Sequence, residues 1–364
     1  MNGVTSSTGS SNERDARGFS VVEILIALLI TIVVMASVFM LLKKGQDSFQ
    51  REPEVTDMTA SARAGLMRVS QDLMVAGFNT PANMAVMWLD GGDQNPDELT
   101  IVYADPEIPV SRPLSCVSND GAACDTIGAS SVLQIDPASF NPMPLVMESA
   151  YQEGMTLFAL QGPNGDEACD HVEPGITRFR LVKPPKCSGL GPATSAANRC
   201  GTLSLKHSPS EAAPIQATGI FRNDVSLACA VVGRFHIAQY RVNPLPPAAH
   251  PTLERRDLAL SEEWIAVSSN IENFQLQYAQ GMSELYEDEP SLVPMGRDPE
   301  SFITRVRVSV SGRSASTNLR GGSRGVFAAE DTHLRKTFAT TVSLRNQLGQ
   351  AQQKAIDLGL DGWN

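Results

Sequence analysis

Residues 19–42 form a run of 24 with a single ionisable side chain, Glu23. At about 1.5 Å rise per residue such a run crosses the ~30 Å hydrocarbon core of a bilayer with some tilt. A helix this apolar on every side has no place on the surface of a water-soluble fold. Glu23 is the anomaly within it. A carboxylate costs about 2.5–3.5 kcal/mol at the bilayer centre and less near a helix end. No Lys or Arg shares its helical face within a turn or two. Either Glu23 snorkels to the headgroups, as in an ordinary signal-anchor, or a cation reaches it from outside the helix.

The residues around Glu23 bear on that choice. Gly18-Phe19-Ser20-Val21-Val22-Glu23-Ile24-Leu25 resembles the class III signal of type IV pilins and pseudopilins. The resemblance implies cleavage between Gly18 and Phe19 by a prepilin peptidase and N-methylation of the new terminal Phe19. It also implies an assembly role for Glu23, the fifth residue of the mature chain. The amine freed on Phe19 of one subunit would neutralise Glu23 of a neighbour inside a bundle of apolar helices. Such a pair sets register more than it adds net stability, because an unpaired buried charge is penalised strongly. Residues 1–18, polar and without an apolar core of their own, read as a leader.

Further along, residues 43–77 continue the helix in amphipathic form. Val55, Met58, Ala62, Leu66, Val69 and Leu73 recur at spacings of three and four, with Arg63, Arg68, Gln71 and Asp72 between them. Gly45 and Pro53 are expected to weaken or kink the helix, and Gly77, Asn79 and Pro81 to stop it. A continuous helix over 19–76 would extend about 87 Å; two helices joined at 45–53 are the alternative.

Beyond Phe78 the chain is β-rich and broken by Pro, Gly and Asn. Strands are expected at 99–103, 131–135, 155–160, 176–182, 202–205, 231–240, 271–278, 305–311 and 337–344. Phe274-Gln-Leu-Gln-Tyr278 and Val306-Arg-Val-Ser-Val310 alternate with the period of a half-buried antiparallel sheet. No repeat or clean linker divides 78–364, so one elaborated head is expected. The segments 67–78, 270–278, 305–310 and 340–346 resemble the helix end and closing strands of PilW-type minor pilins. That resemblance implies an α+β type IV pilin fold, a long N-terminal helix packed on an antiparallel β-sheet head. Its implied partners are other minor pilins, the major pilin, the inner-membrane assembly platform and a tip adhesin.

Cys116, Cys124, Cys169, Cys187, Cys200 and Cys229 all follow the apolar run, and none forms C-x-x-C or has a His at zinc-finger spacing. An even, scattered set favours an oxidising compartment and up to three disulfides. Fifteen pairings exist; the short loops Cys116–Cys124 and Cys187–Cys200, leaving Cys169–Cys229, are the expected ones. Charge flanking the apolar run leaves topology open, with Arg14 and Arg17 before it and Lys43 and Lys44 after it. The cysteines favour a periplasmic or extracellular head, and the resemblance implies that the run is anchored in the inner membrane, with the head in the periplasm, before the chain enters a pilus.

A net charge of −11 argues against a nucleic-acid surface. Gly321-Gly322-Ser323-Arg324-Gly325 satisfies G-x-S-x-G, but its polar flanks lack the strand and helix of a nucleophile elbow. The five histidines, His171, His207, His236, His250 and His333, stand apart, and His236 falls in an apolar strand as a core or sheet-face residue. No enzyme is expected. Asp93, Asn95 and Asp97 hold the one-three-five spacing of a calcium loop, the only cofactor the sequence offers. Glu98 stands where an EF-hand needs glycine, and a solvated acidic turn is the competing reading. A second acidic set, Asn164, Asp166, Glu167, Asp170 and Glu173, surrounds Cys169. The function expected is that of a minor pilin that primes a type IV pilus and sits at its tip. The alternatives are a J-type pseudopilin of type II secretion and a membrane-tethered adhesin or calcium-dependent binding protein.

Overall fold

The computed structural model describes residues 20–81, 84–92, 95–118, 120–127, 130–162, 169, 174–189, 200–208, 225–243, 251–290, 302–317, 323–324 and 332–360. It begins with α1 (Val21–Val75), a single α-helix of 55 residues. Gly45 and Pro53, expected to weaken or kink the helix, both lie inside it. Two compact units divide after Pro53, one up to that residue and one from Glu54 onward.

Among the described residues seventeen strands and a closing helix follow. The first are β1 (Val86–Leu89), β2 (Glu98–Ala104), β3 (Pro113–Ser118), β4 (Ala123–Cys124), β5 (Ser130–Ile135) and β6 (Thr156–Gln161). Next come β7 (Gly175–Arg180), β8 (Lys186–Ser188), β9 (Thr202–Lys206), β10 (Ala230–Gly233), β11 (Phe235–Asn243) and β12 (Thr252–Asp257). The last are β13 (Ser261–Ser269), β14 (Ile271–Gln280), β15 (Ile303–Thr317), β16 (Ser323–Arg324) and β17 (Thr332–Ser343), and then α2 (Arg345–Asp357). Every described pairing between these strands is antiparallel. They form four sheets, ordered β1-β2-β11-β12-β13, β10-β6-β7, β14-β15-β17-β16 and β4-β3-β5-β9-β8.

Strand periodicity explains how the layers stack. On β11, Ala238, Tyr240 and Val242 face one core with Leu66, Val69 and Leu73 of α1 and Phe274, Leu276, Val306 and Val308 of β14 and β15. Phe235 and Ile237, out of phase by one, face a second core with Phe158, Leu160 and Ile176. Leu157 and Ala159, again one residue out of phase, turn to a third core with Leu133, Leu203 and Leu205. Each fully buried Leu or Phe contributes about 2 kcal/mol of apolar transfer. The helix periodicity holds: Met58, Ala62, Leu66, Val69 and Leu73 are buried while Arg63, Arg68 and Gln71 are exposed. Asp72 departs from it and is buried.

The strand expected over 231–240 divides at Arg234, and its halves join different sheets as β10 and β11. Arg234 sits in the break, where its carbonyl accepts the Asp105 N–H at 2.9 Å and its guanidinium lies 3.6 Å from the Asp105 carboxylate. The strand expected to run to residue 344 stops at Ser343, and α2 follows it. Gly77 carries φ of +77° and Asn79 of +50°, left-handed conformations that end α1 where the turn residues predict.

Candidate functional site

From Val21 to Leu42 every large apolar side chain of α1 is exposed, on all faces of the helix. The segment is long and apolar enough to cross a membrane. Its two hydroxyl side chains are satisfied within the helix: Thr31 Oγ1 donates to the Ala27 carbonyl at 2.7 Å and Ser37 Oγ to the Val33 carbonyl at 2.9 Å. That leaves the side of the helix free of unmet polar groups, as a lipid or apolar-bundle environment demands. Glu23 lies in the first turn of α1, near the unbonded N–H groups that favour an anion. Gly18 and Phe19 lie outside the described residues.

In the head, the helix-facing side of the first sheet carries a polar chain that sequence reasoning missed. Asp72 of α1 accepts from Tyr240 Oη at 2.7 Å and from Arg255 Nε at 2.7 Å. The Arg255 fork also reaches Asp257, at 3.6 Å. Asp257 in turn lies 2.8 Å from His236 Nδ1, and the His236 ring stacks on Tyr103 with centroids 5.0 Å apart. Burial works against the Arg255 charge, but the Asp72 carboxylate outweighs it and holds the guanidinium above its ordinary range. Burial likewise pushes Asp257 up; His236, the Ala259 N–H and Arg255 more than offset this and leave it below the usual carboxylate value. The chain joins α1 to β11 and β12 by charge-assisted bonds. A signal for it exists in Glu254-Arg255-Arg256-Asp257, four charged residues in succession that a loop reading takes as solvated. His236 sits on the sheet face, half-buried, and its other ring nitrogen is 3.9 Å from Asp105.

On the opposite face of that sheet, Trp264 lies under two guanidiniums, Arg241 at 4.1 Å and Arg256 at 4.4 Å from the ring centroid. Arg241 also pairs with Glu254 at 3.1 Å. These contacts hold the outer strand β13 to β11 and β12 through cation–π attraction.

Of the candidate calcium residues, Asn95 and Asp97 are described, and both bond within the chain. Asp97 accepts the Gly91 N–H on one carboxylate oxygen at 3.0 Å and the Leu276 N–H on the other at 2.7 Å. Its own N–H donates to the Phe274 carbonyl at 2.8 Å. Burial raises its pKa to about 6 against the lowering effect of the two N–H donors. Asp97 is only 4% exposed, and both its oxygens are engaged by the backbone of this chain. Asn95 donates its side-chain amide to the Gly91 carbonyl at 3.2 Å, and its backbone carbonyl accepts from Gln275 Nε2 at 2.7 Å. Asp93 lies outside the described residues, as do Asn164, Asp166, Glu167, Asp170 and Glu173. Among the described residues no three His, Cys, Asp or Glu side chains group to hold a metal.

The cysteines form Cys116–Cys124, Cys169–Cys229 and Cys187–Cys200. The first joins neighbouring strands, with Cys116 of β3 opposite Cys124 of β4. Ser323 belongs to strand β16, its backbone opposite His333, instead of the strand-to-helix turn a nucleophile elbow requires. Gly321, Gly322 and Gly325 lie outside the described residues, with His171 and His250. His207 is buried beside Phe179, its Nε2 2.7 Å from Ser130 Oγ, and burial lowers its pKa to about 4. His333 Nδ1 bonds the Ser314 carbonyl at 2.8 Å. Both are core residues.

No family model matches the sequence, and no curated protein matches it. Among solved structures, a type IV-like pilin from Thermus thermophilus is similar over 53% of this chain and 86% of that one, at 11% identity and a TM-score of 0.21. A likeness at that level carries no argument, and the architecture stands on the helix and antiparallel sheets described above.

Proposed function

We propose that this chain is a pilin-type subunit, a minor pilin that helps prime assembly of a type IV pilus and is incorporated at its tip. The observation that carries the reading is the helix segment from Val21 to Leu42, apolar and exposed on every face with Glu23 alone in its first turn. Such a surface has to be covered by lipid or by other helices. The resemblance of the residues from Gly18 to Leu25 to the class III signal supplies both states in sequence. The precursor is held in the inner membrane with its head in the periplasm. A prepilin peptidase removes residues 1–18 and frees the Phe19 amine, which is then methylated. Apolar helices of other minor pilins and the major pilin replace lipid as the assembly platform moves subunits outward, and Glu23 meets a neighbour's amine. The roughly 290 residues after Ala76 would crowd a repeating lattice and suit a low-copy position at the tip, where a tip adhesin would be bound.

Intact mass and N-terminal sequencing of the chain isolated from membranes test the reading. The expected chain begins at methylated Phe19, and Gly18→Val is expected to remain full-length in the membrane. Glu23→Ala is expected to be inserted and cleaved but lost from the pilin complex on gentle extraction. A wild-type chain that keeps residues 1–18 in the presence of an active prepilin peptidase would overturn the proposal. Co-isolation with type II secretion components would instead assign the same anchor to a J-type pseudopilin.

A further inference from the structure

The edges of the sheets are treated unequally. An edge strand presents a row of unpaired N–H and C=O groups, and folds blunt it with bulges, charges or cover. Among the described residues three strands of nine residues or more stand at an edge or nearly so: β13, β14 and β17. On β13 the pairing to β12 breaks register twice, and the strand carries Glu262 and Glu263, the former tied to Arg178 at 2.7 Å. The outer side of β14 is closed group by group. The Phe274 carbonyl takes the Asp97 N–H, the Leu276 N–H goes to the Asp97 carboxylate, and Tyr278 exchanges both backbone bonds with Glu287 at 2.8 and 2.9 Å.

Among the described residues β17 has no such closure. Its inner side pairs with β15 without a register break from Arg335 to Ser343, and among the described strands its outer side meets β16 alone, opposite Thr332 and His333. Immediately after the strand, the Leu344 N–H bonds the Thr304 carbonyl at 2.8 Å, which fixes the phase of the ladder. In an antiparallel pair the bonded residues alternate, so 338, 340 and 342 bond inward and 337, 339, 341 and 343 direct their N–H and C=O outward. No described residue bonds the backbone of Thr337, Ala339, Thr341 or Ser343 on that side. Their side chains are exposed, small and largely hydroxylated. The segment contains no proline, and Lys336, exposed and 5.1 Å from the Phe338 ring centre, stands at its start with no acidic residue from 334 to 343.

We propose that the outer edge of β17 from Thr337 to Ser343 is a docking site for an extended segment of another polypeptide, one that adds a strand and places a carboxylate beside Lys336. Strand addition takes its affinity from main-chain bonds and its selectivity from alternate side chains. The open groups here are four residues' worth of donors and acceptors, bordered by Thr, Ala, Thr and Ser, which suits small or β-branched side chains opposite. Charge decides the occupant. In antiparallel register a second β17 would set Lys336 against residue 344 and bring no carboxylate, whereas an acid-bearing strand pairs with Lys336.

The test uses the full chain in detergent and amide hydrogen exchange at Thr337, Ala339 and Thr341. The probes are a ten-residue peptide of alternating Thr and Val with Asp near its C-terminal end, to face Lys336 in antiparallel register, and the same peptide with Lys for Asp. The free chain is expected to exchange these three amides rapidly at every protein concentration. The Asp peptide is expected to slow them at least tenfold, and the Lys peptide to do so much more weakly. Ala339→Pro removes an outward N–H that β15 does not use, so it is expected to abolish peptide protection while leaving exchange at Val308 and Val310 unchanged. Lys336→Glu is expected to reverse the preference between the peptides. Amides already protected in the free chain, independently of concentration, would show that the chain covers its own edge. Protection that grows with protein concentration would assign the edge to a second copy. Equal response to both peptides, or none, would remove the proposed partner.

Discussion

At the scale of single residues, Asp72 has the largest predicted effect in the head. Asp72→Ala leaves the Arg255 guanidinium buried with the 3.6 Å contact to Asp257 and the Tyr240 ring 6.0 Å away, and takes the acceptor from Tyr240 Oη. Loss of one partner from a buried pair is expected to cost about 3 kcal/mol. Asp72→Leu with Arg255→Met, which removes both charges, should recover most of that in denaturant unfolding. Two buried groups titrate in opposite senses. His207, lowered to about 4, is uncharged in the fold over a range where the unfolded chain binds a proton. Its contribution is whole above pH 6.5 and is lost, by about 3 kcal/mol, as pH falls to 4. Asp97, raised to about 6, binds its proton in the fold first, so its burial cost is relieved as pH falls from 6 toward 3.8. A global melt would show the two nearly cancelling. Residue-resolved hydrogen exchange should find β5 and β9 loosening between pH 6.5 and 4 while β14 tightens, and His207→Phe should remove the first effect alone.

The elements differ in how openly the chain announces them. The apolar run and the stripe Met58, Ala62, Leu66, Val69 and Leu73 state α1 through period alone, because burial on one face is a local pattern. Strands such as β14 and β15 are equally open, since Phe274, Leu276 and Tyr278 alternate with polar residues. β12 and β13 are not. Arg255 and Asp257 point into the interior only because Asp72, some 180 residues earlier, and His236 are there to meet them. α2 is similarly hidden. Its sequence is rich in Gln and Ala, and its start is tied to α1 through Asn346 Nδ2, which donates to the Ala76 carbonyl at 2.9 Å. Within the candidate site, Glu23 is legible as a charge out of place, but the role of Asp97 as a clasp on β14 is invisible without the partner strand. Close packing also sets a sharp requirement at Gly312 of β15, where a Cβ would come within 2.9 Å of Met58 Cγ. Gly312→Val is therefore expected to lift the helix there, destabilising the head by about 1–3 kcal/mol and speeding exchange around Met58.

For the head as a whole, covalent and non-covalent fastening are segregated. All three disulfides fall between Cys116 and Cys229, and Cys116–Cys124 and Cys187–Cys200 pack with the core of Leu133, Leu157 and Leu205. The core shared by α1, β11, β14 and β15 contains no cysteine and relies on packing. Polar contacts then pin the helix at intervals. Glu54 accepts from the Ala315 N–H, the Ser61 carbonyl accepts from Ser268 Oγ at 2.6 Å, Asp72 holds Tyr240 and Arg255, and Asn346 reaches Ala76. These contacts come from β15, β13, β11 with β12, and α2 in turn. The fastening has a mechanical meaning. A tensile load along the helix axis is shared by clamps spaced over six turns of helix, each anchored in a different strand or helix. They must slip together in shear, so no single contact is exposed to be peeled first, and the working strength of the joint exceeds that of its strongest clamp.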